Sequence, residues 1–445
     1  MRPDAPSLIR RTLAEWLTLQ ESVHPKTIDM GLARVTAVAR ALGVDKPRCP
    51  VITVGGTNGK GSTVAHLDAL LRATGARTGV FTSPHFLRYN ERIQVDGAEA
   101  TDEELVAAFE RIEQARGATT LTFFEFNALA ALVIFADRAV DVAVLEVGLG
   151  GRLDAVNLVD ADVGIVCSVG FDHRDYLGDT LELIGAEKAG IFRPDRAAVL
   201  GTSAMPASVY AAIAAAGARA VIAERDFRWQ ARADGWDYEG LTVALAALPP
   251  SALAGDIQFR NAATALAALE SLGQGVPATA QVARARRALA PLNAAAVAQA
   301  LRRVQLPGRF QVVPGEVEWI LDIAHNEPAA RVLAAQLAAR PLPGGAGGRT
   351  FAVIGVLKDK DAAGIATALA EVIDGWIVCA LPGERGGSAA QLAARLARVP
   401  QSMELAASVV AGCERARAQA RPGDRVVVCG SLHTVGPALE WLQIY

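Results

Sequence analysis

Val51-Ile52-Thr53-Val54-Gly55-Gly56-Thr57-Asn58-Gly59-Lys60-Gly61-Ser62 is the stretch on which the reading of this chain turns. A β-branched strand runs into a glycine-rich turn, then a lysine and a hydroxyl, then the helical spacing Val64, Leu67, Leu70, Leu71. That order builds a phosphate cradle. Glycines let successive backbone N–H groups converge on phosphate oxygens, the lysine reaches the outer phosphates, and the hydroxyl can ligate Mg²⁺ at a helix N-terminus. The usual spelling of such a loop puts Ser or Thr directly after the lysine, and here Gly61 intervenes. A glycine-rich turn without a ligand is the plainer alternative. The strand–loop–helix context, with Lys60 and Ser62 both present, favours a nucleotide.

Working outward, 445 residues call for two or three domains. Hydrophobic residues make up 51% and charged ones 20%, enough for large buried cores. A net charge of −3, with no basic block, gives no electrostatic case for nucleic acid. The first residues lack the apolar core of a signal peptide, and the longest uncharged run, 197–218, is broken by Gly201, Pro206 and Gly217, so no membrane span is expected. Five scattered cysteines with no CxxC read as small buried residues in a reducing compartment, which makes the expected location cytoplasmic.

Strand-like and helical runs alternate, the mark of an α/β fold with a mostly parallel sheet. Near-continuous apolar strands are expected at Val51–Val54, Thr78–Phe81, Val142–Val147, Val163–Ser168 and Ala198–Leu200. Arg225–Leu248 suggests a small antiparallel insertion, and helices are expected over Asn261–Leu272 and Gln281–Val304. The turn signal Leu306-Pro307-Gly308 marks a boundary, dividing the chain into 1–303 and 304–445. Beyond it, strands are expected at Trp319–Leu321, Phe351–Val356, Trp376–Ala380 and Arg425–Cys429, with a helix over Ala329–Ala339.

Polar residues recur where these strands end, which is where parallel sheets bind ligands. Glu146 closes one strand and opens onto Gly148-Leu149-Gly150-Gly151, a position suited to Mg²⁺. Asp172, His173 and Asp175 follow another strand and point to a second metal site. Ser83 ends a third and can add a hydroxyl ligand, while His85, Arg88 and Arg92 can meet an anionic substrate. Asp322 and His325, Ser431 with His433, and the cation Arg309 form the corresponding set in the second half. Lys188, taken alone, reads as an exposed lysine at a helix end.

The segments GTNGKGS, SPHFLRYNER, TFFEFNALAAL, LEVGLGGRLDAVN, DHRDYLG, GAEKAGIFRP, LPGRFQ and DIAHN, in this order over nearly the whole chain, resemble the folylpolyglutamate synthase family within the Mur ligase superfamily. The resemblance implies a P-loop ATPase-like domain followed by a Rossmann-like C-terminal domain. It implies ATP at Thr57, Asn58, Gly59, Lys60, Gly61, Ser62 and Asn261, with Arg309 and Asp322 reaching across the cleft. One Mg²⁺ falls to Ser62, Ser83 and Glu146, and a second to Glu146, His173 and a carbamylated Lys188. K⁺ is a further expected cofactor. A pterin-bearing acceptor is implied at Thr27, Ile28, Asp29 and Met30, at Thr122, Phe123, Phe124 and Glu125, and at Leu153, Asp154 and Ala155. Glutamate is implied near His325 and Ser431. The expected partners are therefore small molecules, dihydropteroate, reduced folates and L-glutamate, acting on a monomer.

Two departures stand out: His325-Asn326-Glu327-Pro328 replaces the family's HNP, and the stretch from Asn261 to Arg309 is longer than usual, with a helical insertion near Ala278–Leu301. The implied reaction is ATP-driven amide formation, with Lys60, Glu146, His173, Lys188 and His325 as the catalytic set. A ligase with a non-folate acceptor, a monofunctional synthase, and a P-loop ATPase without ligation are the alternatives. Lys26–Gly31 and Thr122–Phe126 argue against the first.

Overall fold

The computed structural model describes residues 11–26, 28–274, 292–396 and 401–445. Strands β1 (Val51–Gly55), β2 (Thr78–Phe81), β3 (Ile93–Val95), β4 (Ala98–Glu99), β5 (Val142–Glu146), β6 (Val163–Val166), β7 (Ala197–Leu200) and β8 (Arg219–Ile222) form one sheet. Their order is β4-β3-β2-β5-β1-β6-β7-β8, parallel from β2 to β8, with β3 and β4 antiparallel at one edge. Successive strand residues point to opposite faces, so each strand feeds two cores. In β5, Ala143 and Leu145 enter one apolar cluster and Val142 and Val144 the other. That double burial is why these strands lack polar alternation.

The expected antiparallel insertion is present as β9 (Arg228–Arg232), β10 (Gly235–Glu239) and β11 (Ala244–Leu248). Trp236, Tyr238 and Leu248 join the core packed on the helix Ile257–Gly273, and Tyr238 donates to Glu270 at 2.6 Å. Of the helix expected over Gln281–Val304, the described part runs only from Ala294 to Arg303, because extended Asn293 caps its start and Val304 its end; residues 281–291, with most of the Ala278–Leu301 insertion, lie outside the described residues.

Beyond it stands a second sheet of β12 (Gln311–Val313), β13 (Glu318–Asp322), β14 (Thr350–Ile354), β15 (Gly375–Cys379), β16 (Met403–Ala406) and β17 (Arg425–Cys429). Its order is β12-β13-β17-β14-β15-β16, parallel except for β12. It too is covered on both faces, Ile320 and Val427 on one and Leu321 and Val426 on the other. Among the described residues, no helix is long and apolar enough to cross a membrane. All five cysteines are buried, and none forms a disulfide among the described residues.

Candidate active site

The helix Lys60–Ala73 starts differently from its neighbours. Thr12, Thr101, Thr122 and Thr180 each cap a helix with a side-chain oxygen. Gly59, in the left-handed region at φ 91°, caps this one with none, leaving the first N–H groups free for an anion. Gly56, at φ 138°, has no room for a side chain, since a Cβ there would stand 3.1 Å from the Cys167 nitrogen. The loop is laced to the end of β6: Thr57 N–H donates to Ser168 O at 2.8 Å, Gly170 N–H donates to Thr57 Oγ1 at 3.0 Å, and Asn58 N–H donates to Ser168 Oγ at 3.1 Å. Lys60 folds back so that Nζ donates to Gly56 O and Thr57 O at 3.0 and 3.2 Å.

Register brings the metal candidates beside this loop, because Glu146 on β5 pairs with Val54 on β1. Glu146 is 5% exposed, and its side chain accepts one long bond, 3.4 Å, from Ser83 N–H. Burial pushes its carboxyl pKa up against the pull of Lys60 and Arg309. A buried carboxylate so thinly satisfied fits a cation, with Ser62 and Ser83 on the same cavity wall. Among the described residues no three His, Cys, Asp or Glu side chains cluster as metal ligands. That donor set suits an ion that keeps waters and phosphate oxygens as ligands.

Lys188 corrects its own plain reading. It is 5% exposed, and Nζ donates to Gly56 O at 3.2 Å. Burial, then repulsion from Lys60, lowers its pKa to about 7. His173, at φ 50°, lines the same cavity, and burial brings it down to about 4.

From the second sheet, Arg309, Asp322, His325 and Ser431 line the opposite wall. Asp322 accepts from Phe310 and Ala324 N–H groups, each at 2.8 Å. Gly61 lies between the halves: a Cβ there would stand 3.6 Å from Arg309 Nη2 and 3.9 Å from Glu146 Oε1. Asn326 explains the altered His-Asn-Glu-Pro spelling. Its side chain caps the helix Glu327–Ala339, with Pro328 in the first turn, where a missing N–H does no harm.

The halves are clasped across the cleft. Asn58 and Asn326 exchange amide hydrogen bonds at 3.1 and 3.2 Å. Lys360, on the loop after β14, meets Asp172 at 2.5 Å, and His325 Nε2 stands 3.5 Å from the same carboxylate. Burial opposes ionisation of Asp172, but His325, His173 and Lys360 outweigh it and hold the carboxyl well below its usual range. Both partners of the ion pair are at most 10% exposed. Lys360→Met is therefore expected to destabilise the protein by about 3–5 kcal/mol, because a buried charge loses its partner. The double variant with Asp172→Asn should recover part of the thermal midpoint. Equal midpoints for parent and Lys360→Met would show that the clasp carries no energy.

At the far end, Ile28, Asp29, Met30, Thr122, Phe124, Glu125, Leu153, Asp154 and Ala155 line the same cavity of about 750 Å³. Thr122 and Glu125 form a reciprocal capping box. Asp154 accepts from Leu149 and Val156 N–H groups, yet burial raises its pKa to about 6. Thr27 lies outside the described residues.

Three expectations are corrected. Phe123 is not in the cavity lining but packs edge-on against Tyr89 at 5.8 Å, because the helix turns this ring away from its neighbour Phe124. Asp175 is exposed and off the cavity, so it does not join His173, and Asp172 spends its charge on Lys360. Arg88 points outward to Glu99 and is off the cavity, whereas His85 and Arg92 do line it, His85 accepting from Arg92 at 2.7 Å, and burial with that cation holds His85 near 4. The sequence reading missed Lys360 and Arg260. Lys360 follows a strand end, and Arg260 lines the cavity next to Asn261, so placement was the available signal.

A phosphate loop, a buried carboxylate and a facing second sheet that closes over both define an ATP-dependent ligase of the Mur type. Residues 54–269 match the Mur ligase middle domain, and residues 308–432 match the Mur ligase, glutamate ligase domain. The chain belongs to the dihydrofolate synthase/folylpolyglutamate synthase family. It is 42% identical to the Escherichia coli dihydrofolate synthase/folylpolyglutamate synthase, over 97% of both chains. A solved E. coli structure in complex with DHPP and ADP superposes with TM-score 0.88 at 41% identity, covering 97% of this chain and 98% of that one. Another, a bifunctional folylpolyglutamate synthase/dihydrofolate synthase with Mn, AMPPNP and L-glutamate bound, has TM-score 0.86 at 40% identity, covering 98% of each.

Proposed function

We propose that this ligase adds L-glutamate to dihydropteroate and then to reduced folates, driven by ATP. One observation carries the reading: a single cavity joins the phosphate loop, Glu146, the facing Arg309 and Asp322, and the pocket of Ile28–Met30, Thr122, Phe124, Glu125 and Leu153–Ala155. Nucleotide, acceptor and amine therefore have one place to meet.

The acceptor carboxylate attacks the γ-phosphorus of ATP in line, giving an acyl phosphate and ADP. The glutamate amine then attacks the acyl carbon, and the tetrahedral intermediate expels phosphate. Such a transfer needs positioning and charge neutralisation more than covalent help. Lys60 turns from its loop carbonyls to the phosphates, Arg309 adds charge from the opposite wall, and Asn261 faces the nucleotide base. Ser62, Ser83 and Glu146 would hold one divalent ion, and Glu146, His173 and carbamylated Lys188 a second. When bound, these ions neutralise developing charge on the phosphate oxygens. His325 and Ser431 flank the glutamate. The low pKa of Lys188 supports carbamylation, since the neutral amine is the form that adds CO₂.

The family resemblance further supports K⁺ as a cofactor and a monomer, and the turn signal Leu306-Pro307-Gly308 supports a division of the chain at 303/304. Buried cysteines without disulfides support a cytoplasmic location.

Phosphate release from ATP, measured with glutamate plus dihydropteroate or tetrahydrofolate, tests the reading. Glutamate-dependent turnover with both is expected. Turnover with tetrahydrofolate alone would reduce the protein to a monofunctional synthase, and turnover with neither would refute the assignment.

A further inference from the structure

A charged cluster stands behind the acceptor end of the cavity. Arg34 rises from the helix Ala33–Leu42, and its Nη1 donates to Asp29 Oδ2 at 2.6 Å. Its Nη2 donates to the Asp29 main-chain oxygen at 2.9 Å and to Glu125 Oε1 at 3.2 Å. Glu125 is also anchored, its Oε2 accepting from Thr122 N–H at 2.8 Å. Asp29 also meets His24 Nε2, 3.4 Å from Oδ2, and Lys26 Nζ, 3.5 Å from Oδ1. Arg34 does not line the cavity, whereas Asp29 and Glu125 do.

The segment Ile28–Gly31 has no regular secondary structure. Among the described residues, no backbone–backbone hydrogen bond holds it, and the hydrogen bond to its main chain comes from Arg34. The opposite wall, Thr122–Glu125, is rigid, because it opens the long buried helix Phe123–Asp137. One planar guanidinium thus ties an otherwise loose wall to a fixed one, contacting a carboxylate on each.

We propose that Arg34 is the positioning residue for the pterin-bearing acceptor, fixing the spacing between Ile28–Gly31 and Thr122–Glu125. This rests on the acceptor site assigned above. Arg34 compensates the charges of Asp29 and Glu125 and leaves their remaining lone pairs to accept from ring N–H groups of the pterin. A lysine is a point charge without the fork and cannot hold the carbonyl and two carboxylates together.

Steady-state kinetics of the full chain with Arg34→Lys and Arg34→Ala test this, with dihydropteroate varied at saturating ATP and glutamate, and ATP then varied in turn. KM for dihydropteroate is expected to rise about tenfold, equivalent to about 1.4 kcal/mol of lost binding. KM for ATP and kcat should stay within twofold. A dihydropteroate KM within twofold of the parent would overturn the proposal, as would a fall in kcat with every KM unchanged. Circular dichroism checks folding, and if Arg34→Ala does not fold, Arg34→Lys decides alone. A parent that turns over neither acceptor sinks the assigned function and this inference with it. An active parent with unaffected variants sinks the inference alone.

Discussion

Lys188→Ala is expected to lower kcat by about 10²–10³-fold, the loss typical of removing a preorganised electrostatic group from an active site. Its circular dichroism should match the parent's. The side chain is buried against the phosphate loop, 3.2 Å from Gly56 O, so it reaches the site without exposing a surface. The physical signature is in its titration. Burial lowers the folded-state pKa to about 7 from 10.5. As pH falls from 10.5, the unfolded chain takes up the proton first, so unmodified Lys188 progressively weakens the fold down to about pH 7 and no further below. Lys188→Met should then melt higher than the parent at pH 7 in CO₂-free buffer, with the gap closing toward pH 10.5. Near-normal turnover by Lys188→Ala would refute the carbamate role. A gap that does not change with pH would refute the titration argument.

Glu146→Gln separates activity from stability even more sharply. Burial raises the Glu146 pKa from 4.5, against the pull of Lys60 and Arg309. A carboxyl of that kind favours the fold fully below its unfolded pKa, and the advantage is lost as pH rises through the folded value. Above its unfolded pKa the carboxyl is therefore a burden on the metal-free protein, and glutamine removes it. The variant should melt higher than the parent without metal, while kcat falls by about 10²–10³-fold. Adding Mg²⁺ with ATP should raise the parent's midpoint more than the variant's, because ligand binding to the native state is linked to stability. Equal metal-dependent shifts in the two proteins would remove Glu146 from the metal site.

Much of the fold was legible because its signals are local. The apolar strands at Thr78–Phe81 and Arg425–Cys429 were expected at the bounds they have. The antiparallel insertion announced itself by aromatic and alternating character. The β3–β4 hairpin was missed although Asp96-Gly97 sits at its turn with both φ values positive, 55° and 76°. Strands of three and two residues are too short for a periodic pattern. The edge strands β8 and β16 carry exposed residues, Arg219 and Glu404 among them, which dilute the apolar signal.

The site divides in the same way. Backbone conformation and the ends of strands are properties of short segments, so the sequence by itself determined the phosphate loop, Glu146 at its strand end, and the second set at Asp322 and His325. Burial and partnership depend on which distant loops meet. Lys360 and Asp172 are 188 residues apart, and only tertiary structure makes them one ion pair. The same packing aims Phe124 at the cavity and turns Phe123 into the core, and it withdraws Asp175 from the cleft. It also turns Lys188 from a helix-end lysine into a buried amine with a pKa near 7, because desolvation is set by the whole surrounding fold and not by the residues on either side.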